Sequence, residues 1–291
     1  RELIRFSSPP FPLPYVWERE RVRGARSLEK FETINKRVGV MRSISRRWSL
    51  GALCLLAALW LAGCHLQPRL AVTPLPAWDA AFDRASGWVG GDGASSTPLG
   101  GGRTLWLFGD TFVGRVEGGR RVQAQLIANS LAVQPGPGSL EFFYRNDAAG
   151  LPLAAFAPPD GGAWFWPLHA VRTPAGLFLF LLQVERTDPA SVFGFRVHST
   201  MLARIANPEA PPAAWRPELQ PIPGTDGRRL VGTSVLTVGG VCYVYGTVED
   251  APGRRRAIVA RVASERIWDF AQWRFFAGQG WEPDSGRAVP I

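Results

Sequence analysis

The sequence predicts an all-β protein, and more narrowly a β-propeller with about three blades present. Beyond residue 80, long helical patterns are absent and short apolar runs alternate with Gly/Pro turns. The runs fall into groups of about four that recur at a spacing of roughly 65 to 70 residues. The order of features within each group is kept. A glycine-containing turn precedes the most apolar strand (GGGRTLWLFG, PAGLFLFLLQ, GGVCYVYG), and a related phrase follows on the third strand (NSLAV, STMLARI, RAIVARV). Repetition of four-stranded units in one order is the signature of a propeller, whereas a β-sandwich carries no such repeat.

Taken in order, the first group comprises Gly87–Gly91, Thr104–Phe108, Gln125–Val133 and Leu140–Tyr144. The second comprises Trp164–Val171, Gly176–Val184, Phe193–Ile205 and a short strand near Trp215. The third comprises Leu230–Val238, Val241–Val248, Arg256–Val262 and Trp273–Phe276. A fourth unit is expected to open at Gly278, with Trp281 starting its inner strand, and the sequence stops at Ile291. The expectation is therefore a C-terminally truncated propeller, residues 85–291. It would be an open arc, with Trp273–Phe276 an uncovered edge and the residues after Gly278 poorly packed.

The N-terminal part reads differently. From Met41 the chain carries Arg42, Arg46 and Arg47, then an apolar stretch, Leu50–Ala62, too short for an ordinary membrane-spanning helix. Leu61-Ala62-Gly63-Cys64 resembles the lipobox of bacterial lipoproteins. That resemblance implies a signal peptide at 41–63, Cys64 as the first mature residue and lipid anchor, and a proline-bearing tether at 64–84. Residues 1–40 read as upstream sequence with no folded role. Residues 1–63 hold 12 of the 33 Lys/Arg and 5 of the 24 Asp/Glu, so the net charge of +9 falls to +2 without them. Nucleic acid is not an expected partner, since no dense basic patch remains to meet phosphates. Of the three cysteines, Cys242 alone would stay free in the mature chain, as a buried core residue.

Chemistry concentrates in Trp88–Gly114, WVGGDGASSTPLGGGRTLWLFGDTFVG. Asp92 lies within a glycine turn, where backbone conformations closed to other residues are open. Asp110 follows the apolar run Leu105–Phe108. Each aspartate alone suits a turn residue bonding nearby N–H groups. As a pair in an aromatic setting, their pKa values can be pushed apart, which is what glycoside hydrolysis asks of its acid and base. No phosphate loop, nucleotide fingerprint, HExxH or Ser-His-Asp context occurs, and the reading calls for no cofactor and no metal.

The phrases GWVGGDGASS, LWLFGDTFVG, NSLAV, WFWPLHAV, the Phe178–Glu185 strand and GTSVL…GGVCYVYG resemble a family of five-bladed propellers long catalogued as a domain of unknown function. Some of its members are endo-acting D-arabinanases, and it is more distantly similar to arabinanase and invertase-type glycosidases. The resemblance covers about residues 85–282. It implies a central pit lined by the innermost strand of each blade, with Asp92 on the first, Trp166 and His169 on the second, and Thr233 and Ser234 on the third. It implies Asp92 as leading catalytic carboxylate and Asp110 as partner, with Glu185 as general acid if Asp110 only orients Asp92. Trp166, His169, Asn129 and Ser234 are the candidate substrate-binding residues. Asn129 has the alternative of bonding backbone at a strand end, His169 of a satisfied core position, and Glu185 of a surface ion pair. The functional expectation is a monomeric, lipid-anchored hydrolase of the bacterial envelope, at the outer membrane, acting on a furanoside-type polysaccharide. The alternative is a non-catalytic propeller binding glycan or protein there.

Overall fold

The computed structural model describes residues 73–136, 138–159 and 161–291. The expected signal peptide, Cys64 and most of the tether lie outside the described residues. The tether does not extend to residue 84. Pro76–Phe82 forms a helix (α1), started by a proline at its first turn, and Ala81 and Phe82 pack it onto the first sheet. Phe82 meets Trp88, Trp106, Phe108 and Phe142, with ring centroids 5.2–6.5 Å apart. Among the described residues no helix is long and apolar enough to cross a membrane.

Among the described residues eighteen strands follow, most of them pairing antiparallel with a neighbour in chain order. The first blade-like sheet joins β2 (Ser95–Gly100), β3 (Arg103–Phe108), β6 (Ser130–Gly136) and β7 (Ser139–Phe143). The second is the meander β10 (Ala163–Thr173), β11 (Gly176–Arg186), β12 (Phe195–Ile205) and β13 (Glu218–Pro221). The third runs β14 (Arg229–Val238), β15 (Val241–Ala251), β16 (Arg254–Ala263), β17 (Arg274–Phe276) and β18 (Trp281–Glu282). A three-stranded sheet of β1 (Ser86–Gly91), β4 (Thr111–Glu117) and β5 (Arg120–Ile127) stands beside the first blade, and β8 (Arg145–Asn146) pairs with β9 (Pro152–Leu153). The inner strands β2, β10 and β14 are neighbours, with β10 packed against both others.

Alternation along β11 explains how the sheets stack. Leu177, Leu179 and Leu181 point into the seam with the first sheet, among Leu99, Leu105 and Leu107. Phe178 and Phe180 point the other way, among Val231, Cys242 and Trp273 of the third sheet. All five are fully buried, so β11 reads as a continuous apolar run because both of its faces are covered.

Four sequence expectations need correction. Gly87–Gly91 is not the first inner strand: it pairs with β4, and the inner strand is Ser95–Gly100. The cause is local. A bulge falls between Trp88 and Gly91, Gly93 takes φ +60, and the chain turns at Asp92 before a new strand starts. Gln125–Val133 is two strands in two sheets, broken at Ala128-Asn129. Trp281 does not open a new inner strand; it covers the outer edge of the third sheet, pairing with Phe276. The residues after Gly278 are packed: Val289 N–H donates to Phe276 O and Ile291 N–H to Ala257 O, both at 3.0 Å.

Candidate functional site

Asp92 and Asp110 meet where β1 gives way to β2 and β3 to β4. Asp92 N–H donates to Asp110 O at 3.1 Å, and Gly109 N–H donates back to Asp92 O at 2.9 Å. Asp92 is thus on the turn immediately ahead of the first inner strand, exposed, with its carboxylate over Gly109. A Cβ at Gly109 would lie 2.5 Å from Asp92 Oδ1, so a side chain there would make the Asp92 carboxylate shift. Behind the turn, Thr111 Oγ1 donates to Gly109 O at 2.8 Å, Thr111 and Ser130 share a hydroxyl contact at 2.8 Å, and Trp88 Nε1 donates to Ser130 Oγ at 3.1 Å. These buried bonds fix the loop that carries both carboxylates.

Asp110 is half-buried, and Trp166 Nε1 from β10 donates to its Oδ1 at 2.7 Å. Burial pushes the Asp110 carboxyl above its ordinary value. The indole bond opposes that rise, and the negative charge of Asp92 adds to it. Trp166 in turn stands edge-on to Phe195 (5.1 Å, 90°) and Trp164 (5.9 Å, 74°). The result is an exposed and a half-buried carboxylate beside an aromatic wall. That arrangement can exchange a proton and offer flat apolar faces to a ring. Neither Trp164 nor Phe195 is among the candidate site residues of the sequence: Trp164 shares a strand face with Trp166, two residues away, and Phe195 reaches it only through the pairing of β10, β11 and β12.

The other candidate residues are dispersed. Glu185, near the end of β11, is ion-paired with Arg196 and has His198 Nδ1 at 3.9 Å. Its partner is Arg196 across the hairpin, while Arg186 lies over the Trp164 ring at 5.2 Å. Asn129 is fully buried. It donates from Nδ2 to Phe156 O and Phe165 O and accepts at Oδ1 from Phe156 N, each at 2.8 Å, so its amide is spent on backbone and is not free for substrate. His169 sits at the bulge of β10. Its Nδ1 is buried without a partner among the described residues, and burial holds its pKa below the ordinary value. Ser234 is exposed on β14, opposite Tyr245. Cys242 is fully buried, its thiol 3.5 Å from Thr237 Oγ1. Among the described residues no three His, Cys, Asp or Glu side chains converge to hold a metal ion.

A protein of Bacteroides ovatus provisionally assigned as a hydrolase has a similar structure, with TM-score 0.55 and 22% identity over 72% of this chain. This chain spans 58% of the length of that protein, and the likeness is one of fold. A GH43 protein of Bacillus licheniformis, BlXynB, aligns at TM-score 0.28 and 11% identity over 67% of this chain and 42% of its own, too low to argue from. No curated protein matches the chain. Residues 76–289 match the family described as "Domain of unknown function (DUF5005)", and the chain belongs to that family.

Proposed function

We propose that this protein is a glycoside hydrolase-like protein that cleaves a furanoside-type polysaccharide, arabinan being the model substrate, with Asp92 and Asp110 as its working carboxylates. The observation that carries the reading is the state of Asp110: burial and the neighbouring Asp92 favour its protonated form, while Trp166 holds it in place. Asp110 then serves as the proton store for the departing glycosidic oxygen. Asp92, exposed at the same turn, acts on the sugar carbon directly or through water. Trp166, Trp164 and Phe195 supply the wall against which a sugar ring packs. His169 and Ser234, on the neighbouring inner strands, are proposed as further substrate contacts. In this reading the protein is anchored at the bacterial envelope through a lipid on Cys64.

The second reading is a propeller that binds glycan without cleaving it, and the ion pair of Glu185 favours it, because that carboxylate is occupied by Arg196. Product release from a panel of arabinans by the full chain and by Asp92→Asn separates the two. Hydrolysis should fall about 10²–10⁴-fold in the variant. Equal release by both proteins removes Asp92 from catalysis, and binding without release by either leaves the second reading.

A further inference from the structure

A groove lies between the outer parts of the first and second sheets, with a volume of about 480 Å³ and an adjoining recess of about 260 Å³. It shares no lining residue with the aspartate pair or its aromatic wall. Arg145 and Arg216 line both spaces, and no acidic residue lines either. Each guanidinium is steered by backbone carbonyls. Arg145 Nε donates to Ala154 O at 2.7 Å, and Arg216 Nη1 donates to Trp215 O at 2.8 Å and Ala213 O at 3.2 Å. Carbonyl bonds orient an arginine without neutralising it, and among the described residues neither arginine has a carboxylate partner. Two like charges lining one space favour an anion there.

The remaining walls say which kind of anion. Phe143 and Tyr144 line it half-buried, over a floor of the buried Phe156 and Trp215, and the Trp215 indole N–H is already spent on Ala210 O at 2.9 Å. Asn146, exposed at the mouth, offers an amide for hydroxyls. The space is of the size that holds a small organic ligand, well beyond one inorganic ion. The arginine fork matches a carboxylate, and apolar ring faces match the C–H faces of a pyranose. We propose that this groove binds the carboxylate of an acidic, uronate-type saccharide, as a binding site separate from the aspartate pair.

Calorimetric titration of the full chain with tri-galacturonate tests this, beside the same trimer with its carboxyls reduced to hydroxymethyl groups. The acidic trimer should bind and the reduced trimer should bind at least about tenfold more weakly, as expected for the loss of charge-assisted bonds. Arg145→Ala and Arg216→Ala should each weaken the acidic trimer by a similar factor, with circular dichroism and unfolding temperature unchanged. Should either variant fail to fold, the acidic-to-reduced ratio on the unmodified protein still decides. The proposal is overturned by absent binding, by equal affinity for the two trimers, or by full affinity in both folded variants. It is equally overturned if inorganic phosphate or a triglutamate peptide binds as tightly as the acidic trimer.

Discussion

Asp110, between β3 and β4, and Glu185, near the end of β11, are both carboxylates near strand ends, and the fold treats them in opposite ways. Asp110 is drawn inward, given a neutral indole as its bond partner and a second carboxylate as its neighbour. Glu185, also part-buried, is given a cation, Arg196, as its partner. Burial with a like charge makes a proton hard to lose, whereas an ion pair ties a carboxylate to one place. A carboxylate at a strand end is thus a proton carrier or an anchor according to what the neighbouring strands bring to it.

The comparison breaks most sharply at Asp110. Asp110→Asn should lower hydrolysis about 10²–10⁴-fold. Its effect on stability should run the other way. A carboxyl whose folded value is raised contributes most below its ordinary value of 3.8, and that contribution is lost as pH rises through the folded value. Asparagine keeps the acceptor for Trp166 without the buried charge. The variant should therefore unfold at a higher temperature than the parent at pH 7, and the difference should close below pH 3.8. A variant less stable than the parent at pH 7 would show that the charged carboxylate is welcome in its site.

Gly109→Ala tests the pairing without replacing either carboxylate. The added methyl would meet Asp92 Oδ1 at 2.5 Å, so Asp92 must swing away. Displacement by about 1 Å can cost on the order of 10²-fold in rate. Activity should fall about ten- to a hundredfold, and unchanged activity in steady-state assays would detach Asp92 from the reaction.

How much of this was legible follows the same division between local and assembled features. The first three strands of the second and third sheets are readable because they follow one another as meanders with short turns, and Leu177–Leu181 shows burial on both faces in the letters themselves. The first sheet is not readable in this way. A hairpin, β4–β5, is inserted between its second and third strands, and the break at Asn129 is made by side-chain bonds to Phe156 and Phe165, which lie in other elements. The nearness of Asp92 and Asp110 is legible because both flank one hairpin. Trp166 was named as a sugar platform, but its bond to Asp110 depends on the packing of β10 beside the first sheet. Asn129 was offered as a substrate contact because a sequence cannot show that its amide is saturated. Trp281 looked like a strand start because its role, an edge cover held by Phe276 and by the Arg261 guanidinium 4.4 Å from its ring, is purely tertiary.

A smaller effect is expected from Trp166→Phe. The indole bond lowers the Asp110 value against the rise from burial, so its loss should raise that value further. With Asp110 acting as the proton store, the alkaline limb of the kcat/KM profile should move to higher pH, with a loss of roughly tenfold at most from weaker positioning. A limb moving to lower pH would contradict the sign of the indole's contribution.

The smallest effect belongs to Glu185→Gln. An ion pair with an arginine that is itself largely exposed contributes about 0.2–1 kcal/mol, and glutamine keeps an acceptor for Arg196. Hydrolysis should stay within about threefold of the parent, as expected for a substitution away from the reacting groups. The outcome decides between the two carboxylates. If Glu185→Gln instead abolishes hydrolysis while the fold persists, the general acid is Glu185, and Arg196 must release it when substrate binds. In that case Arg196→Ala should raise hydrolysis, because it frees the Glu185 carboxyl from its ion pair. If neither substitution changes the rate, Glu185 and Arg196 do no more than fasten the end of the β11–β12 hairpin, and the proton chemistry rests with Asp110.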